Sequence, residues 1–139
     1  EAEFEREVKA LELKVSNLIT PDFLKELESR QHDLLSLADV DPRAAIAEAW
    51  NQVGTAVRKA AQHHIAFHIP DTMSALSSMD ELVKNDIVKA SDAALFHELR
   101  SLKNQATHAI YNFNPNYESA VEYIKMASLL EAHLTKLTQ

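Results

Sequence analysis

Apolar positions recur along this chain with helical spacing almost from end to end. Phe4, Val8, Leu11, Val15 and Leu18 follow one another at steps of four, three, four and three. That is a heptad-like stripe flanked by Glu and Lys, and it predicts a helix over 1–19. Thr20-Pro21-Asp22 reads as an N-cap followed by proline at the first helical position. A second helix is expected from there to about Ala38, burying Phe23, Leu24, Leu27, Leu34, Leu35 and Leu37. Asp41-Pro42 repeats the start signal and opens a third helix, with Ile46, Trp50, Val53, Val57, Ala60 and His64 on one side. Its many alanines, with Gly54 among them, suit the central helix of a bundle, because small side chains let neighbours approach closely. Ile69-Pro70-Asp71 is expected to close it.

Further along, Met73, Leu76, Met79, Leu82 and Val83 predict a short helix, with Ile87 and Val88 in a loop or second turn. Ser91 is placed to cap a helix carrying Leu95, Leu99, Leu102, Ala106 and Ala109. Residues 112–116 form a turn cluster. A final helix follows, with Ala120, Val121, Ile124, Ala127, Leu130, Leu134 and Leu137 facing inward. The expected fold is all-α: a helical bundle of about five helices with an N-terminal acidic helical arm. The arm or linker is assigned to 1–20 and the bundle to 21–139.

Composition agrees and narrows the function. The chain has 139 residues, a size that suits one domain with its own core. One Gly and 6% aromatic residues argue against an all-β fold. A single glycine also excludes a Gly-rich phosphate loop, and with it the P-loop and dinucleotide folds. The absence of cysteine excludes disulfides, thiol catalysis and zinc ribbons. It suits a reducing compartment, and a cytoplasmic location is expected.

The net charge of −7 rules out a generic polyanion-binding surface. It is concentrated in residues 1–39, where ten acids face five bases. No stretch approaches the length of a membrane span, and no signal peptide is visible at the start. Because the sequence opens on Glu1, it reads as a piece of a longer chain, with other domains or an anchor expected upstream.

Chemistry concentrates between Leu99 and His108. Arg100, Asn104 and His108 stand four residues apart and form one polar stripe, bordered by His97. Leu95, Leu99, Leu102 and Ala106 form the opposing apolar stripe. A helix with one face for the core and another of Arg, Asn and His is a candidate site helix. Arg58 and Lys59, with His63, make a small basic patch and a candidate ligand-binding pair. His63, His64 and His68 cluster, but no carboxylate or cysteine completes a ligand set, so neither a metal nor a cofactor is expected. Trp50, Phe96, Tyr111, Phe113, Tyr117 and Tyr123 are read as packing residues.

Three features together resemble the HEPN superfamily (higher eukaryotes and prokaryotes nucleotide-binding). They are the Asp41-Pro42-Arg43-Ala44-Ala45 helix start leading to Trp50, the Leu99–His108 segment, and the Asn114–Ala120 turn feeding the last helix. The resemblance covers roughly residues 30–137, and the family's signature on the second segment is Leu-Arg-x-Leu-Arg-Asn-x-x-x-His. It implies a dimer in which two copies of that helix build a metal-independent endoribonuclease site. There the His acts on the ribose 2′-OH or the leaving oxygen, and the Arg holds the scissile phosphate. Asn104 and His108 match the motif, while Lys103 stands where catalytic members carry Arg. An ammonium is a point charge that does not reproduce the planar two-point contact of guanidinium with phosphate. Arg100 lies about 12 Å from His108 along the helix axis, far for one phosphate within one chain.

The expected function is therefore a non-catalytic HEPN-like domain. It dimerises and binds a partner, RNA or a nucleotide among the candidates, within a larger protein. The alternative is an endoribonuclease using His108 with Asn104 and Lys103 or Arg100.

Overall fold

In the computed structural model, which describes residues 2–65, 69–108 and 115–139, the chain is all-α. The helices are α1 (Ala2–Val15), α2 (Pro21–Arg30), α3 (His32–Val40), α4 (Pro42–His64), α5 (Ala75–Lys84), α6 (Ala90–Thr107) and α7 (Tyr117–Lys136). A short 3-10 turn, Ser16–Leu18, links α1 to α2. There is no strand among the described residues. Among the described residues the helix count is seven where five and an arm were expected. The difference comes from one break at Gln31, which divides the expected second helix into α2 and α3.

The two proline-marked start signals hold, whereas Ser91 does not cap α6: that helix begins at Ala90, with Lys89 at the N-cap and no side-chain cap hydrogen bond. The Thr20 hydroxyl accepts from the Phe23 N–H at 3.1 Å, with Pro21 at the first helical position. The Asp41 carboxylate accepts from the Ala44 N–H at 3.1 Å ahead of Pro42. Asn116 and Ser119 form a reciprocal capping box at the start of α7. Each cap satisfies donors that the first turn of a helix leaves unpaired. At the other end of α5, Asp86 adopts a left-handed conformation, φ 58°. The Ile87 N–H reaches the Leu82 carbonyl and the Asp86 N–H the Val83 carbonyl, the bonding pattern of a Schellman termination.

α4 is the centre: it packs on α3, α5, α6 and α7. Its inner face is nearly all small or branched, with Ala45, Ile46, Ala49, Val53, Val57, Ala60 and Ala61 buried. Gly54 marks the close approach of α5, since a Cβ there would lie 3.5 Å from that of Ala75. α4 ends at His64, ahead of the expected Ile69-Pro70 stop. Trp50 is only partly buried; it lies over Phe96 with ring centroids 5.0 Å apart.

Helix α1, expected as an arm, contributes Phe4, Val8, Leu11 and Val15 to the same buried cluster as the rest of the chain. It lies on α6 and α7. Leu18, the last member of the predicted stripe, is exposed at 43% because the 3-10 turn breaks the helical phase there.

Candidate functional site

α6 divides its circumference between three environments. Leu95, Phe96, Leu99, Leu102 and Ala106 are buried. Glu98 and Gln105 are engaged by α1: Lys14 Nζ lies 3.1 Å from Glu98 Oε1, and Gln105 Nε2 donates to Glu7 Oε1 at 3.1 Å. Seven residues separate the two partners on each helix, so α1 runs antiparallel along α6. The remaining sector carries His97, Arg100, Asn104 and His108. Arg100 and His108 are exposed and Asn104 is partly so. No ion pair or side-chain hydrogen bond among the described residues engages any of the three.

At 100° per residue, Arg100, Asn104 and His108 fall within a sector of about 80°. Lys103 stands apart. It lies about 60° from Arg100 towards the Phe96 side and about 140° from His108. Accordingly it is partly buried, and its own carbonyl takes the Thr107 hydroxyl at 2.9 Å. The motif residues Lys103 and His108 therefore do not converge on one point within a chain. His108 is the C-cap of α6, its N–H bonded to the Asn104 carbonyl at 2.9 Å.

The second candidate patch, Arg58 and Lys59, lies on α4. Arg58 folds back along α4 to within 3.5 Å of Thr55 Oγ1, on the side that meets α5. Lys59 is exposed, and its charge partly offsets the upward push of burial on the Glu131 carboxyl of α7. The histidines are also dispersed in role. His63 and His64 meet edge to face, ring centroids 4.9 Å apart, and His64 Nε2 contacts the Leu137 carbonyl. His68, Tyr111, Phe113 and Asn114 lie outside the described residues. Among the described residues no group of three His, Asp or Glu side chains is placed to hold a metal. Among them, too, no helix is long and apolar enough to cross a membrane.

Two features escaped the sequence. One is a cleft of about 190 Å³ between α1 and the start of α7, lined by Glu5, Val8, Lys9, Tyr117, Glu118 and Glu122 among others. Glu122 pairs with Lys125 at 3.1 Å there. The other is a partly buried hydrogen-bonded contact across α6 and α7, His133 Nδ1 to Asp92 Oδ1 at 2.9 Å. Both depend on which helices become neighbours, and periodicity does not encode that. Comparison with family models, curated proteins and solved structures finds no match to this chain.

Proposed function

We propose that this chain is a HEPN-like helical domain that works by docking rather than by catalysis, pairing with a second copy through the exposed sector of α6. RNA or a nucleotide is the ligand class the sector suits, since Arg100 and His108 offer donors to phosphate. One observation carries this reading. Two sides of α6 are occupied, by the core and by α1, while the sector holding Arg100, Asn104 and His108 keeps its polar groups unengaged among the described residues. The divergence of Lys103 from His108 argues against a nuclease site within one chain. Losing an oriented donor to a transition-state oxygen costs about 2.7–4 kcal/mol, or about 10²–10³ in rate.

A metal-independent endoribonuclease is the second reading, favoured by the exposed His108 side chain one turn beyond Asn104. Two copies of α6 bring a Lys103 or Arg100 from one chain to the His108 of the other. Incubation of the protein with mixed single-stranded RNA in EDTA separates the two. The docking reading predicts salt-sensitive binding without cleavage. Robust cleavage by the wild type, lost in His108→Ala and raised in Lys103→Arg, establishes the nuclease instead.

A further inference from the structure

The exposed face of α6 differs from one side to the other. With Arg100 as zero, Asn104, His97 and His108 fall at about 40°, 60° and 80°, the middle of the face. Arg100 and Lys103 stand to one side of that middle, Lys103 at about −60°. Glu98 and Gln105 stand to the other, at about 160° and 140°, where α1 lies. One flank is therefore cationic. The opposite flank carries Glu98 and, on α1, Glu7, which Gln105 reaches at 3.1 Å.

The two flanks also match in level. Arg100 and Glu98 differ by two residues, about 3 Å along the axis, and so do Lys103 and Gln105, the level of Glu7. Between Glu98 and Glu7 runs a groove of about 320 Å³. Leu11 and Leu102 form its floor, and the exposed Ala10 and Ser101 keep its mouth open. An apolar floor below a carboxylate rim suits an arginine, whose stem is apolar and whose head is charged. Glu98 meets Lys14 through Oε1, and an ionised carboxylate accepts more than one donor.

A two-fold pair can set these flanks against each other in two ways. If the copies of α6 stack in opposite directions, each flank meets its own kind, cations on cations and acids on acids. If they run in the same direction, with the two-fold axis along them, left and right exchange. Each cationic flank then lies over the partner's acidic one. A two-fold interface has to be self-complementary, and like charges set opposite each other work against association.

We propose that two copies pack α6 against α6 in the same direction, with Arg100 of each chain in the α1–α6 groove of the other, against the partner's Glu98. Resting on the docking of a second copy proposed above, this arrangement adds its direction and its contacts. It also bears on catalysis. Arg100 and the partner's His108 stay about 12 Å apart along the axis, as they do within one chain. Stacking in opposite directions is what would bring the two level.

A charge exchange tests the contact. Arg100→Glu and Glu98→Arg are made in separate chains and followed by sedimentation velocity. Each variant alone sets like charges together twice per dimer and should weaken dimerisation at least about tenfold. An equimolar mixture should recover the wild-type dimer, since one contact is then native and the other has both charges reversed. Introduced cysteines test the direction, in a chain with none of its own. His97→Cys and His108→Cys, made singly, should each give a disulfide-linked dimer under mild oxidation. Stacking in opposite directions would separate like positions away from the two-fold axis, and at most one of the two would cross-link. A wild type that is monomeric at high micromolar concentration overturns this arrangement together with the docking reading. A wild-type dimer whose mixed variants stay apart, or which does not cross-link at each of the two positions, overturns this arrangement alone. If Glu98→Arg fails to fold by circular dichroism, the two cysteine variants still decide.

Discussion

Tyr123→Phe isolates one bond that fixes the site helix to its support. Tyr123 is fully buried on α7, and its hydroxyl donates to the Leu99 carbonyl of α6 at 2.8 Å. Phenylalanine keeps the ring and its packing and removes only that donor. The Leu99 carbonyl, inside α6, keeps its helical partner, so no orphaned group is created. The expected cost at neutral pH is about 1 kcal/mol, the usual net value of one intramolecular hydrogen bond. For a chain of this length that lowers Tm by about 3–5 °C.

The same substitution has a second, opposite signature. Burial pushes the Tyr123 phenol well above its ordinary value. The unfolded phenol ionises near pH ~10, so wild-type stability falls by about 1.4 kcal/mol per pH unit beyond that point. Tyr123→Phe lacks this group. The gap between the two proteins should therefore close as pH rises past ~10 and reverse about one unit above it. Urea denaturation followed by far-ultraviolet circular dichroism, at neutral pH and through the alkaline range, reads both effects. A variant as stable as wild type at neutral pH refutes the bond. A gap constant through the alkaline range refutes the burial.

Two further substitutions test other joints. Phe4→Ala should cost about 3 kcal/mol in the same urea assay, since Phe4 is fully buried; a loss under 0.5 kcal/mol would make α1 an appendage instead. Asp86→Gly should gain about 0.5–1 kcal/mol, because it relieves a left-handed backbone at a helix termination where glycine is the preferred residue; a loss of stability would show that the aspartate side chain is needed there.

The parts that were legible in the sequence are those set by local rules. Thr20 and Asp41 precede Pro21 and Pro42, and each cap forms where that chemistry requires. The stripe Leu95, Leu99, Leu102 and Ala106 marks the core side of α6, and the spacing of Arg100, Asn104 and His108 marks its free side. The break at Gln31 was not legible, because no Gly or Pro announces it. It is held by contacts to Gln52, Ser128 and Glu131, residues 21–100 positions away. The occupation of Glu98 and Gln105 by α1 was hidden for the same reason: their partners lie 84 and 98 residues off. Lys103 was read by its place in a motif, whereas its angle on the helix is what separates it from His108.

Sedimentation velocity bears most directly on the proposed docking through α6. Wild type should run as a dimer at micromolar concentration, and the surface substitution Arg100→Glu together with His108→Glu should run as a folded monomer with unchanged circular dichroism. Positions so exposed change fold stability by no more than about 0.5 kcal/mol. A wild type that stays monomeric at high micromolar concentration contradicts the account, and so does a dimer that both substitutions leave intact.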